Sequence, residues 1–295
     1  MMDEKKNLQA VRVAEAMTEA AESLRRSGVG EARREALSLL SHVISRDQTF
    51  LLTHPEHALQ PAMLDHFRAV TQRRARGEPL QYIKGRQEFF GLEFEVSRDV
   101  LIPRPETELL VETALRLLDE GGAPAPRVCD VGTGSGCIAV TVLHERTGVR
   151  AVGLDISPPA LRVAARNAAR HGVGARLELV ASDCFAALDA ARPRFAMIVS
   201  NPPYVAEAAV AGLQREVRCF EPRVALTPGR DGLSIIRRLL SESPRLLFPG
   251  GHLLMEIGFD QGAAVERLID RRVWRLLDIH KDLQGIPRTV ALRKT

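Results

Sequence analysis

The chain has 295 residues, of which 45% are hydrophobic and 26% are charged. This composition is typical of a globular protein, and the length suffices for one large domain and one small domain. The net charge of +4 is spread along the chain. It argues against the concentrated basic face of a dedicated DNA-binding protein.

The cysteines indicate a reducing compartment. Cys129, Cys137, Cys184 and Cys219 form no CxxC pair and have no histidine cluster beside them. Neither a zinc site nor a disulfide framework is therefore expected. The first residues contain no apolar run typical of a secretory signal, and no stretch has the length of a membrane span. We expect a cytoplasmic protein without a metal site.

The apolar pattern of residues 1–78 predicts helices only. Apolar side chains recur at helical spacing over 11–26 and 32–44, and a further helix around Phe67 ends in a basic run. Asp47 is a candidate N-cap for a short helix between them. No residue combination in this part is typical of catalysis. We expect a small helical bundle that recognises the substrate.

The apolar period changes after residue 78. Residues 82–90 and 92–96 alternate apolar and polar side chains around Gly91, which is typical of a β-hairpin. We therefore predict that residues 79–104 form a linking β-hairpin between two domains.

Residues 105–295 are predicted to form the catalytic domain. Strands are expected at 127–131, 151–155, 176–180, 195–200, 252–257, 274–280 and 288–292, and helices at 106–118, 137–145, 159–171, 233–247 and 261–270. Only a short turn joins the last two strands, so they should pair antiparallel. This pattern indicates an α/β fold with a Rossmann-like, mostly parallel, doubly wound sheet and a C-terminal antiparallel hairpin.

A glycine-rich loop follows the first strand of that domain and consists of Gly132, Thr133, Gly134, Ser135 and Gly136. Glycine allows a tight turn and the close approach of a ligand, and the next helix begins with free N–H groups. The spacing differs from the GxGxxG dinucleotide fingerprint. A tight turn between strand and helix, without a ligand, would have the same sequence pattern.

Acidic residues end the next two strands. Asp155 lies about twenty residues after the loop, where a carboxylate can accept both hydroxyls of a ribose. Asp183 follows the third strand, where it can accept an adenine amino group. Each could instead cap the following helix. Together with the loop, these strand ends indicate an adenosine site at the switch point of the sheet.

The segment Asn201, Pro202, Pro203 and Tyr204 follows the fourth strand. The prolines stiffen it, and Pro202 holds Asn201 in an extended conformation. A planar –NH2 group can donate one hydrogen to the Asn201 side-chain oxygen and the other to the Pro202 carbonyl, while Tyr204 stacks on the target. A rigid turn with a capping asparagine is the alternative. This segment therefore indicates an enzyme that methylates a planar amide or amino nitrogen. Catalysis is expected to come from the positioning of the target nitrogen.

Seven segments carry a family resemblance. VCDVGTGSGCIAV, GLDISPPAL, IVSNPPY, EPRVALTPGRDGL and LLMEIGFDQG resemble successive motifs of the HemK/PrmC glutamine N5-methyltransferases, as do EPLQYIKGRQEFFGLEF and VLIPRPETELLVE. The resemblance implies the class I S-adenosylmethionine methyltransferase fold, with S-adenosylmethionine as the cofactor. It implies as substrate the glutamine of the Gly-Gly-Gln loop in bacterial class I peptide chain release factors.

The same resemblance assigns the site residues. It implies that the cofactor contacts Gly132, Thr133, Gly134, Ser135, Gly136, Asp155, Cys184 and Asn201, and we add Ile156, Asp183 and Phe185 as predicted cofactor residues, with the adenine against Cys184 or Phe185. It implies that the target glutamine contacts Asn201, Pro202, Pro203 and Tyr204, of which Asn201, Pro202 and Tyr204 carry the catalysis.

Other functions suit the same motif. A ribosomal-protein glutamine or an adenine or guanine amino group in a nucleic acid could be the target. A nucleic-acid substrate requires a basic groove, whereas basic and acidic residues nearly balance over residues 1–88, and the segment PRPET favours release factors. An adenosine-sensing module without catalysis would leave Asn201 and its prolines unexplained. We expect release factors as partners, with no membrane and no direct nucleic-acid contact.

Overall fold

The computed structural model describes residues 11–122, 124–189 and 194–295. Residues 1–10 of the predicted helical domain lie outside the described residues. The chain divides into two compact units, one up to Gly85 and the other from Arg86.

The first unit is helical in its described part. Its helices are α1 (Val13–Arg26), α2 (Ala32–Ile44), α3 (Gln48–Thr53), α4 (Pro61–Ala75) and α5 (Leu80–Lys84). As predicted, Asp47 caps α3, because its side chain accepts a hydrogen bond of 2.7 Å from the Phe50 N–H. Leu24, Leu39 and Phe67, from α1, α2 and α4, are fully or almost fully buried in the core of this unit.

The predicted strand over 82–90 is wrong in its first part, because Leu80–Lys84 is the helix α5. Ile83 packs into the core of the first unit. Gly85 ends the helix with a φ of 72°, which glycine adopts without steric cost. The alternating pattern misled the prediction because this helix is too short to show a helical period.

The hairpin itself is shorter than predicted. It pairs β1 (Arg86–Phe89) with β2 (Leu92–Glu95) in antiparallel register. Phe90 and Gly91 form the two-residue turn and both have positive φ, as a tight hairpin turn requires. Phe89 and Phe94 are buried in the core of the second unit. The segment 79–104, predicted as a link, is thus divided between the two units.

The second unit contains a seven-stranded sheet. Its strands are β3 (Arg127–Val131), β4 (Arg150–Asp155), β5 (Leu177–Ala181), β6 (Phe195–Ser200), β7 (Leu247–Glu256), β8 (Trp274–Lys281) and β9 (Pro287–Lys294). Its α-helices are α6 (Glu108–Gly121), α7 (Cys137–Glu145), α8 (Pro158–Arg170), α9 (Arg215–Phe220), α10 (Arg223–Leu226), α11 (Ser234–Glu242) and α12 (Gly262–Leu268). Short 3-10 helices lie at Pro105–Thr107, Gly174–Arg176, Glu207–Gly212 and Ser243–Arg245.

The predicted helix over 233–247 is too long at its C-terminal end. The α-helix stops at Glu242 and a 3-10 turn containing Pro244 follows. Proline has no N–H to continue the helical hydrogen bonds. Leu247 is already the first residue of β7.

The strand order is β5-β4-β3-β6-β7-β9-β8. Strands β5, β4, β3, β6 and β7 are parallel, whereas β9 pairs antiparallel with both β7 and β8. The chain fills one side of β3 with β4 and β5 and then crosses to the other side with β6. This reversal beside β3 is the switch point at which doubly wound sheets bind ligands. The predicted fold class is confirmed.

Both faces of the sheet are buried at its central strands. Val128 and Val199 pack on the face covered by α6, α7 and the β1–β2 hairpin. Ile198 and Leu253 pack on the opposite face against α11 and the fully buried Trp274. A parallel sheet needs this double cover, which explains its nearly continuous apolar strands.

Asn167 connects three parts of the second unit. It is fully buried on α8. Its Oδ1 accepts from the Glu95 N–H at 2.7 Å, and its Nδ2 donates to the Glu95 carbonyl at 3.0 Å and to the Ser135 carbonyl at 2.9 Å. The carboxamide therefore pairs with the edge of β2 as a peptide group would, and it also holds the glycine-rich loop.

We expect Asn167→Ala to lower the free energy of unfolding by about 2–4 kcal/mol, because it leaves the part-buried N–H and carbonyl of Glu95 and the buried carbonyl of Ser135 without partners. Urea unfolding measures the change. Arg166→Ala is the matched control, because Arg166 pairs with the same Glu95 through its exposed side chain and should cost at most about 1 kcal/mol. Equal effects of the two substitutions would contradict the importance of the buried carboxamide.

Candidate active site

The glycine-rich loop leaves the C-terminal end of β3. Gly132, Gly134 and Gly136 have positive φ values of 75°, 55° and 80°. The N–H groups of Gly132 and Thr133 both donate to the Leu154 carbonyl at 2.8 and 2.9 Å. The loop is therefore bonded to the end of the neighbouring strand β4 and lies in the conformation that only glycine adopts readily.

The surroundings of two of these glycines show what packs against the loop. A Cβ atom on Gly136 would lie 3.2 Å from Ala164 Cβ, so α8 packs tightly against this end of the loop. A Cβ atom on Gly132 would point toward the backbone oxygen of Asn201 at 4.0 Å. The glycine-rich loop and the Asn201 segment are thus direct neighbours across the switch point.

Asp130, the last but one residue of β3, forms hydrogen bonds that hold the glycine-rich loop against the sheet. It is fully buried, and its Oδ2 accepts from Thr133 Oγ1 at 2.7 Å and from the Ala139 N–H at 3.3 Å. Within residues 11–122, 124–189 and 194–295, no group bonds its Oδ1. Burial raises the pKa of this carboxyl to about 7.

Asp155 ends β4 opposite the loop. Its carboxylate accepts from the Gly134 N–H at 2.8 Å and from the Ser157 N–H at 2.9 Å. Burial raises its pKa despite these bonds. The N-cap of α8 is Ser157, whose hydroxyl accepts from the Ala160 N–H. The alternative that Asp155 caps this helix therefore does not describe the structure. The side chain of Ile156 is 55% exposed at the edge of the site.

The residues after β5 are placed differently from one another. Asp183 has a largely exposed side chain that accepts from Arg238 Nη1 at 2.6 Å. Cys184 adopts a φ of 48° and lines the site, and burial raises its pKa to about 11. Phe185 is buried in the core with Ile198 and does not line the site. The structure thus brings Cys184, and not Phe185, to the place predicted for the adenine.

One cavity unites most of the predicted residues. Its lining includes Gly132, Thr133, Gly134, Ser135, Asp155, Ile156, Asp183, Cys184, Asn201, Pro202 and Pro203. Gly136, Phe185 and Tyr204 are the predicted site residues that do not line it. Gly136 packs against α8, and Tyr204 turns its hydroxyl toward Glu256 at 3.2 Å. Tyr204 thus does not line the cavity, and its stacking on the target stays a prediction.

Asn201 extends from the end of β6 into this cavity. Its Nδ2 donates to Thr107 Oγ1 at 3.0 Å. Among the described residues no group donates to its Oδ1 or to the Pro202 carbonyl. Two acceptors on adjacent residues are thus available to a ligand.

Two residues of this site were missed by the sequence reasoning, Thr107 and Glu256. Both are 1% exposed, and Thr107 Oγ1 donates to Glu256 Oε2 at 2.6 Å. Glu256 accepts from Tyr204 through its other oxygen, and burial raises its pKa to about 7. A signal existed, because a glutamate at the end of the apolar run LLME is unusual in a buried strand.

A third buried carboxylate joins two walls of the cavity. Glu221, 6% exposed, accepts from the Ile102 N–H at 3.2 Å and from Arg104 Nη2 at 2.5 Å. Arg104 and Pro222, the residue after Glu221, both line the cavity. This ion pair therefore fixes the segment before α6 against the segment between α9 and α10.

The chain resembles known proteins over nearly its whole length. Residues 15–85 match the PrmC N-terminal domain, and residues 106–217 match the methyltransferase small domain. The release factor glutamine methyltransferase of Cereibacter sphaeroides is 44% identical over 283 residues, which cover 96% of this chain and 99% of that protein. The chain belongs to the release factor glutamine methyltransferase family. The relative of the same name from Nitratidesulfovibrio vulgaris is 43% identical over 277 residues, covering 93% and 92% of the two chains.

The fold of this chain is also similar to that of a solved structure. The catalytic domain of hMettl16, in complex with MAT2A 3′UTR hairpin 6, superposes with a TM-score of 0.55 over 77% of this chain and 81% of that one. At 17% identity this likeness concerns the fold alone. The predictions of a methyltransferase and of S-adenosylmethionine as its cofactor are confirmed.

No described helix combines the length and the apolar character needed to cross a bilayer. The part of the chain that the structure describes also contains no group of three or more His, Cys, Asp or Glu side chains that could hold a metal ion.

Stability should depend on pH through Asp130. Because its folded-state pKa is raised to about 7, its contribution is fully present below the unfolded pKa of about 3.9 and is lost as the pH rises through 7. The free energy of unfolding should fall by up to about 1.4 kcal/mol per pH unit in this window. Urea unfolding at several pH values should show a steeper decline for the wild type than for Asp130→Asn. Parallel declines would show that the carboxyl is already ionised at low pH.

Proposed function

We propose that this chain transfers a methyl group from S-adenosylmethionine to the side-chain amide nitrogen of the glutamine in the Gly-Gly-Gln motif of bacterial class I peptide chain release factors. One observation carries the proposal. Asn201 lies beside the glycine-rich loop with its amide nitrogen bonded to Thr107 and its amide oxygen available. An acceptor next to a cofactor cavity is what a primary amide needs in order to be oriented there.

The residues at the switch point fit the cofactor. The backbone of Gly132 and Gly134 leaves room that a side chain would occupy, and Asp155 lies at the loop with a carboxylate suited to ribose hydroxyls. We propose Cys184 and Ile156 as the apolar walls for the adenine, since both line the cavity. Asp183, held by Arg238, supplies an acceptor at the rim.

The target amide is held by the two free acceptors. One of its hydrogens bonds to Asn201 Oδ1 and the other to the Pro202 carbonyl, which orients the nitrogen lone pair toward the methyl donor. Both prolines keep this segment extended, so the acceptors are preorganised. Pro203 lines the same cavity and adds an apolar contact.

The chemistry requires orientation and little else from the protein. When bound, S-adenosylmethionine supplies a methyl group that its sulfonium already activates for displacement by nitrogen. The methylated amide then loses one proton to water, so we assign no general base. The apolar cavity walls, among them Val131 and Ile138, exclude water from the amide.

The helical N-terminal unit is proposed to recognise the release factor. It has its own apolar core, and no residue proposed for the reaction lies in it. The proposed release-factor substrate and the four cysteines, which are free of disulfides, also support a cytoplasmic location.

The direct test is methyl transfer from isotope-labelled cofactor to purified release factor. We expect one methyl group per release factor, on the glutamine of the Gly-Gly-Gln motif, as mass spectrometry of the digested substrate would show. A release factor with this glutamine replaced by alanine is the matched control and should accept none. Equal labelling of the control substrate, or labelling of ribosomal protein or nucleic acid instead, would contradict the proposal.

Two variants should separate cofactor binding from target positioning. We expect Asp155→Ala to weaken S-adenosylmethionine binding about ten-fold or more, measured by calorimetry, because it removes a charged acceptor.

Asn201→Ala should leave cofactor affinity nearly intact and lower kcat and kcat/KM together, as loss of an interaction in the transition state does. If Asn201→Ala reduced only thermal stability and preserved kcat, Asn201 would be a structural residue.

A further inference from the structure

A chain of hydrogen bonds runs from Asn201 into the core. Asn201 Nδ2 donates to Thr107 Oγ1 at 3.0 Å, Thr107 Oγ1 donates to Glu256 Oε2 at 2.6 Å, and Tyr204 donates to Glu256 Oε1 at 3.2 Å. Thr107 comes from the 3-10 turn before α6 and Glu256 from the end of β7. These hydrogen bonds therefore join three separate segments, starting at the cavity wall, which Asn201 and Thr107 line.

The direction of these bonds follows from the number of protons available. An ionised carboxylate can only accept, so the single proton of the Thr107 hydroxyl points to Glu256. The lone pairs of Thr107 then face Asn201, which must present its –NH2 group to them. The carboxamide is thereby fixed with its oxygen directed away from Thr107 and available to the target amide.

Protonation of Glu256 would permit the opposite direction. The carboxyl proton could be donated to Thr107, whose own proton would then point to Asn201. Asn201 would turn its oxygen to Thr107 and its –NH2 group toward the cavity. A primary amide that arrives there would meet a donor where it needs an acceptor.

We propose that Thr107 and ionised Glu256 are positioning residues that hold the Asn201 carboxamide in its accepting orientation. Neither residue is proposed to touch the reacting atoms. The inference rests on the proposed function in one respect, namely that the Asn201 oxygen accepts from the target amide.

Several groups set the charge of Glu256. The titratable and charged groups that bear on it are Tyr204, Arg288 from β9, Glu106 from the turn before α6 and Cys137 from α7. Burial is the largest influence and raises the pKa of Glu256 to about 7, although Thr107, Tyr204 and Arg288 oppose the rise. The accepting orientation of Asn201 should therefore be lost as the pH falls through about 7.

The sequence allows this orientation to be observed without any substrate. It contains three asparagines, Asn7, Asn167 and Asn201, so 15N labelling of asparagine side chains gives three –NH2 signals. We expect the Asn201 signal of the full chain, saturated with S-adenosylmethionine, to shift with a midpoint near pH 7. It should not titrate in Glu256→Gln or Thr107→Val, and the Asn167 signal, whose partners are backbone groups, is the internal control.

The kinetic consequence is measured with saturating cofactor and release factor. We expect kcat of the wild type to fall about ten-fold per pH unit below the midpoint, as a single protonation requires, and kcat of Glu256→Gln to be nearly independent of pH there. Thr107→Val should lower kcat about ten-fold or more at pH 8. Thr107→Ser restores the hydroxyl and should regain most of the rate and the acid limb.

The outcomes separate this inference from the proposed function. An Asn201 signal that is insensitive to pH, or that titrates unchanged in Glu256→Gln, would overturn the positioning role. Persistence of the acid limb of kcat in Glu256→Gln and its loss in Asp130→Asn would overturn it too and assign the limb to Asp130. Absence of methyl transfer by the wild type would contradict the proposed function, while the Asn201 titration would still decide the positioning.

Discussion

The site depends on the switch point beside β3, where the order in which the strands are added to the sheet reverses. Strand β4 pairs with one edge of β3 and strand β6 with the other, so the loops that follow β3 and β6 leave the sheet toward different sides. The space between them cannot be filled by either loop. It becomes a cavity at which the glycine-rich loop, Asp155 and Asn201 meet, although they are distant in sequence. The remaining polar residues of the site serve to hold these loops in place.

Buried carboxylates form most of the hydrogen bonds that hold these loops in place. Asp130 bonds Thr133 and the first turn of α7, Glu221 bonds the segment of Ile102 and Arg104, and Glu256 bonds Thr107 and Tyr204. Burial of a carboxyl group is costly unless donors satisfy it. Each of these three groups meets donors from another segment, so its cost is offset only when the cavity walls are correctly assembled. The walls are therefore preorganised before a ligand arrives.

The sequence predicted the parts of the site that are continuous in the chain. The glycine-rich loop and the segment around Asn201 are recognisable in the sequence because the backbone preferences of glycine and proline are local. Thr107 and Glu256 could not be paired in this way, because 149 residues separate them. The sequence left the adenine against Cys184 or Phe185, and the turn at Cys184, with its positive φ, directs the phenyl ring of Phe185 into the core.

The fold shows the same division between local and distant causes. Helix α3 and strands β3 and β6 follow from a cap residue or an apolar run and lie where the sequence indicates. Helix α5 was mistaken for a strand because five residues are too few to display a helical period. Its helical state is decided by the packing of Ile83 against other helices of the first unit, and that information lies elsewhere in the chain.

The bonding of Asn167 has a consequence for evolution. All three of its partners are main-chain atoms, of Glu95 and Ser135, and main-chain atoms are the same whatever side chain accompanies them. Mutations at the partner positions can therefore accumulate without disturbing these bonds, whereas position 167 itself must provide one acceptor and two donors on a short side chain. Such a contact couples two segments strongly and yet generates no correlated substitutions. Methods that infer contacts from the covariation of residue pairs would not detect the contact between Asn167 and these main-chain atoms.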